Sequence, residues 1–91
     1  MRSVRLLITG RVQRVGYRMW AERTALSLGI RGWVRNRRDG SVELLAIGDD
    51  DPVASLIDAC RQGPHAAIVT GVSVEDAEDD GSDGFRHQAH L

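Results

Sequence analysis

Lysine is absent from this 91-residue chain, and aromatic side chains are nearly so, with one phenylalanine, one tyrosine and two tryptophans. The missing lysine excludes a phosphate loop of the Walker type, in which a lysine reaches the terminal phosphates, and no GxGxxG fingerprint stands in for it. A single cysteine, Cys60, can form no internal disulfide, which agrees with a reducing compartment. Six positions after Cys60 stands Ala66 and not arginine, so a Cys-x5-Arg phosphatase loop is missing, and Cys60 reads as core. No apolar run approaches the roughly 20 residues that cross a bilayer. The N-terminal run Leu6-Leu7-Ile8 also falls short of the ~7–15-residue core of a signal peptide. These absences leave a cytoplasmic protein without a membrane partner as the expectation. The length allows one domain, 1–91, and no separate cofactor domain.

The charge that is present lies unevenly. Residues 1–40 hold ten arginines against Glu22 and Asp39, while the remainder holds two arginines against eleven acids, so a net charge of −1 conceals an anion-attracting N-terminal half. Val4, Leu6 and Ile8 alternate with Ser3, Arg5, Leu7 and Thr9, which predicts a strand over Arg2–Thr9. From Tyr17 the apolar residues recur at helical spacing, through Ala21 to Leu28, and Gly29 closes that helix. Ile30–Arg37 is a second strand. The Asp39-Gly40 turn leads into a third over Ser41–Gly48. Asp50 or Asp51 with Pro52 starts a second helix whose apolar stripe is Val53, Leu56, Ile57 and Cys60, and Gly63-Pro64 ends it. Ala66–Val74 is a fourth strand, followed by an acidic loop, Glu75–Asp83, and a short last segment, Phe85–Leu91.

The order is that of an α+β, ferredoxin-like βαββαβ sandwich: an antiparallel sheet with two helices on one face, and room for a short fifth strand at the C-terminus. A right-handed crossover sets strands one and two parallel, with strand three antiparallel between them. Two segments are thereby brought to one rim. The first is Gly10–Arg18, GRVQRVGYR, which joins a strand to a helix start and so aims free N–H groups and the positive end of the helix dipole at one spot, where an anion binds. Arg18 can add a bidentate fork. The plainer alternative is a sharp turn carrying solvated arginines. The second segment is the end of strand two, with Asn36.

GRVQRVGYR, then GWVRNRRDGSVE, then the Gly-Pro pair after the second helix, resemble the acylphosphatase family over nearly the whole chain. The family pattern G-x-V-Q-G-V-x-[FY]-R is matched at Gly10, Val12, Gln13, Val15, Tyr17 and Arg18. G-W-V-[RK]-N with its D-G hairpin is matched at Gly32, Trp33, Val34, Arg35, Asn36, Asp39 and Gly40. The resemblance implies hydrolysis of the carboxyl-phosphate bond of acyl phosphates without metal or cofactor. It implies that Arg18 binds the phosphate within a cradle formed by the loop amides of Gln13, Arg14, Val15, Gly16 and Tyr17, and that Asn36 orients the attacking water. The expected partner is a small acyl phosphate acting on a monomer, with inorganic phosphate as product and competitive inhibitor. Two residues depart from the pattern: Arg14 stands where glycine is usual, and His87 where the last strand carries an inward apolar residue.

Rival readings are thinner. An RNA reader of this topology stacks bases on aromatics of its two central strands, and Arg2–Thr9 and Ser41–Ile47 have none, so no nucleic-acid partner is expected. A non-catalytic anion-sensing module remains the alternative function. His65, His87 and His90 lack zinc-ligand spacing and read as surface or edge positions. Asp76–Gly81 imitates the start of a calcium loop, but the twelfth position is His87, so a solvated acidic loop is expected. Trp20 and Trp33 read as core or helix-packing residues, with lining of the substrate's acyl side as the alternative.

Overall fold

In the computed structural model, which describes residues 1–88, the alternation of Val4, Leu6 and Ile8 becomes strand β1, Arg2–Arg11, with all three side chains fully buried. Helix α1 spans Tyr17–Ser27, β2 Arg31–Asn36, β3 Val42–Gly48, α2 Asp50–Gln62, β4 Ile68–Asp76 and β5 Phe85–His87. The sheet order is β4-β1-β3-β2-β5, with β3 antiparallel to both β1 and β2. Strands β1 and β2 therefore run the same way and end on one rim, as the sequence predicts. This is the ferredoxin-like α+β arrangement. Val34, Val42, Leu44 and Ala46 extend the core of β1 across the sheet, covered by Tyr17, Ala21 and Ala25 of α1 and by Val53, Leu56, Ile57 and Cys60 of α2.

The four expected strands pair antiparallel throughout, and the short fifth strand adds to their edge. The fifth strand is present and pairs parallel to β2, with Phe85 opposite Gly32 and His87 opposite Val34. Its direction follows from the route of the chain. Strands β4 and β5 occupy opposite edges, so the intervening residues cross the end of the sheet where β1 and β2 begin and then enter the far edge alongside β2. The acidic loop is exposed along most of its length, as expected, and it is also tied down. Ala77 N–H donates to the Ser3 carbonyl at 3.0 Å, Arg31 forks onto Asp79 and reaches the Ser82 carbonyl at 2.7 Å, and Trp33 Nε1 donates to Asp80 at 3.1 Å. The loop is a strap, and Trp33 lies half-buried beneath it and outside the core, because strand alternation turns it to the face opposite Val34.

Smaller shifts have local causes. Strand β1 runs two residues beyond Thr9 through a bulge at Gly10, whose φ is +119° and where a Cβ would lie 2.2 Å from the Ile68 carbonyl oxygen. Helix α2 begins after Asp49, so Asp50 and Asp51 occupy its first turn with Pro52 third; the ladder starts only at Val53 N–H to Asp49 C=O, and proline forfeits nothing there. Helix α1 closes as expected at Gly29, with Ile30 N–H reaching the Ala25 carbonyl at 3.0 Å. His65 is exposed. His90 and the end of the expected Phe85–Leu91 segment lie outside the described residues.

Candidate active site

The loop between β1 and α1 is held from both sides. Val12 is buried, and Gln13 Nε2 donates to the carbonyls of Arg37 at 2.7 Å and Ser41 at 2.8 Å, fastening the loop to the β2–β3 hairpin. Asp39 shapes that hairpin by accepting from Ser41 N–H at 2.9 Å. Arg14 has φ +62° and Gly16 φ +78°, two left-handed residues that curl the backbone into the helix start. The first ladder bond of α1 is Trp20 N–H to Gly16 C=O at 3.0 Å, no side chain caps the end, and its first turn carries no acid. The N–H groups of Tyr17, Arg18 and Met19 are thus left open at the positive pole of the helix. Tyr17 is itself anchored: its hydroxyl donates to the Cys60 carbonyl at 2.7 Å. The helical donor for that carbonyl would be Pro64, which has no N–H.

Asn36 closes β2 at the same rim. It is only 9% exposed, and its Oδ1 is buried without a hydrogen-bond partner. Between Asn36 and the loop lies a pocket of about 190 Å³, walled by Arg14, Gly16, Tyr17 and Arg18 and floored by Val12. Arg18 donates through Nη1 to the Gln88 carbonyl at 2.8 Å, which leaves most of its five N–H groups uncommitted. A larger hollow of about 310 Å³ lies between Trp33, Arg86 and residues 81–83, away from the helix start.

The acylphosphatase family model matches residues 4–87. The chain belongs to the acylphosphatase family. An acylphosphatase of Rhodopseudomonas palustris strain BisB5 is 55% identical over 75 residues, which are 82% of this chain and 76% of that protein. One of Nitrobacter hamburgensis is 57% identical over 67 residues, 74% and 68% respectively. The crystal structure of acylphosphatase from Bacillus subtilis superposes with a TM-score of 0.93 at 35% identity, covering 97% of this chain and 99% of that one.

Against the residues singled out from the sequence, this member of the acylphosphatase family brings Arg14, Gly16, Tyr17, Arg18 and Asn36 to one pocket. Gln13 and Val15 do not line it. The side chain of Gln13 is spent on the hairpin, and Val15 packs against the core. Three lining residues were not among those singled out for the site, Val12, Met19 and His87. Parallel pairing places His87 opposite Val34, on the helix-bearing face and one strand over from Asn36, and there it is 44% exposed. Its backbone N–H and Nδ1 both meet Glu22 Oε2, at 3.0 and 3.3 Å. Its signal in the sequence was its break with the family pattern.

Part of the N-terminal surplus of arginine is absorbed elsewhere. On the sheet face away from the helices, Glu43 has its side chain 3% exposed and takes Arg35 at 2.8 Å, Arg5 at 3.1 Å and Arg37 at 3.4 Å. Burial alone would push its carboxyl up; the Arg35 hydrogen bond and charge, then Arg5 and Arg37, bring it below the usual range. At the pocket the balance is reversed, because no carboxylate stands among its lining residues. Burial, then Cys60, holds the Tyr17 phenol far above its ordinary value, so it stays a neutral donor.

Proposed function

We propose that this chain hydrolyses the carboxyl-phosphate bond of small acyl phosphates, with Arg18 and the open amides at the start of α1 holding the phosphate and Asn36 aiming the water. The observation that carries this reading is Asn36 Oδ1, a buried acceptor without a donor in the wall of a cationic pocket. Such an atom costs stability, and a water donating to it would be fixed beside whatever the helix start holds. Asparagine suits that place because it orients water without a charge that repels phosphate, as aspartate would.

The water oxygen attacks phosphorus while the phosphorus–acyl oxygen bond breaks, its electron pair leaving with the carboxylate. That leaving group, with a pKa near ~4, needs no proton from an acid. The water's proton passes to a phosphate oxygen, giving inorganic phosphate. The transition state is loose, and what remains for the protein is positioning and stabilisation of charge on the equatorial oxygens. Arg18 and the amides of residues 17–19 suffice for this without a metal. Inorganic phosphate, as product, competes for the same cradle. The free, buried Cys60 suits a reducing compartment.

The test is hydrolysis of benzoyl phosphate by the purified protein with excess chelator, beside an alkyl phosphate monoester. Turnover of the first and not of the second is expected. Phosphate binding without turnover would make the chain an anion sensor, and loss of turnover on chelation would overturn the metal-free chemistry.

A further inference from the structure

Arg14 is the one non-glycine residue with positive φ among the described residues. An L-residue there is strained where glycine would not be, and the backbone has no freedom to relax, since Gln13 on one side is fastened to the hairpin and Gly16 on the other starts the helix. Observed strain of this kind points to a use for the side chain. That side chain is exposed, lines the pocket, and makes no hydrogen bond to another described residue. The phosphate does not need it: the Arg18 fork and three open amides already match the oxygens of a phosphoryl group.

The acyl end of a substrate has to leave the pocket past its rim. Met19, 51% exposed, is on that rim, as is His87, whose Nδ1 is turned to Glu22. The rim thus offers an apolar thioether, an imidazole edge and the uncommitted Arg14 guanidinium, with no carboxylate among the lining residues.

We infer that Arg14 is a specificity residue for the acyl end: the chain selects acyl phosphates whose acyl group carries a second anionic group over neutral ones of the same shape. This rests on the function proposed above. Arginine is suited to the task because its planar fork matches a carboxylate or a phosphate equally.

The test compares kcat/KM for 3- and 4-carboxybenzoyl phosphate with the corresponding methyl esters, which have the same skeleton and one charge fewer. In the wild type the acid-to-ester ratio is expected to exceed that of Arg14→Gly and of Arg14→Gln by about fivefold for at least one isomer, the scale of one partly exposed charged hydrogen bond. It should shrink as salt is raised. Arg14→Lys should restore part of it. Arg14→Gln removes the charge but keeps the strained position occupied, which separates recognition from loop geometry. Ratios equal within about twofold in the wild type and both neutral variants, with all substrates turned over, would overturn this inference and leave the proposed function standing. No turnover of any substrate by the wild type would overturn both.

Discussion

Replacing Tyr17 by phenylalanine removes one oxygen from the interior and leaves the Cys60 carbonyl with nothing to accept. Both residues are essentially inaccessible, and the bond between them is 2.7 Å long. The ring contact with Trp20, centroids 5.2 Å apart, survives the change, so the loss isolates the hydrogen bond. Leaving a buried acceptor unsatisfied costs about 1–3 kcal/mol. In a domain of this size that lowers Tm by roughly 5–20 °C. A second signature is alkaline. The Tyr17 phenol is held above its ordinary value by burial and then by Cys60, and burial pushes the Cys60 thiol up to about 11. Both groups keep a proton in the folded state that the unfolded chain releases, so their contribution is intact below the unfolded values and is lost as pH rises past about 9 for the thiol and about 10 for the phenol. Tyr17→Phe should therefore be less stable at neutral pH and should lose less on going from pH 9.5 to 11. Urea denaturation at several pH values measures both. A variant within about 0.5 kcal/mol of wild type, the range of an inconsequential surface change, with an unchanged alkaline slope, would refute the claim that the hydroxyl serves this carbonyl.

Three further outcomes follow from the pocket. Asn36→Ala deletes an orphaned acceptor, so it should lower turnover of benzoyl phosphate by about 10²–10³-fold while leaving stability level or higher; isothermal titration with phosphate should still show binding, and loss of that binding would make Asn36 a holder of the anion. Arg18→Lys can still donate to the Gln88 carbonyl but cannot offer a planar fork, so near-complete loss of activity with unchanged unfolding is expected, and wild-type turnover would remove Arg18 from the site. Arg14→Gly relieves the left-handed position and should stabilise the chain by about 1–2 kcal/mol in chemical denaturation; a lower midpoint would mean that the arginine side chain holds the loop together.

Local patterns in the chain foretold local outcomes. The alternation in Arg2–Thr9, the helical spacing after Tyr17, the glycine that closes α1 and the Asp39-Gly40 turn all depend on near neighbours, and each appears close to where it was expected. The convergence of Arg18 and Asn36 was also legible, because a right-handed crossover leaves little choice about which strand ends share a rim. What stayed hidden depends on partners far along the chain. Nothing near Gln13 says that its side-chain amide will grip the carbonyls of Arg37 and Ser41. That the solvated acidic run would also be tied down was hidden because its cationic partner, Arg31, lies 48 residues before Asp79. Trp33 shows that parity outranks hydrophobicity in a strand: Gly32, Val34 and Asn36 mark the inner face, and the indole is turned to the other one.

The strand order also sets when the site can exist. Strand β1 has no partner among its sequence neighbours; it waits for β3 and β4, and Arg18 meets Gln88 across 70 residues. Chains dominated by such distant pairings fold slowly, on the scale of milliseconds to seconds, because loop closure precedes any reward. During synthesis at about 5–20 residues per second, the loop and helix start emerge early, yet they have no sheet to rest on until β3 has left the ribosome to join β1 to β2, and Arg18 has no carbonyl to orient it until β5 has followed. The cradle is encoded first and completed last, so the site exists only once nearly the whole chain has emerged.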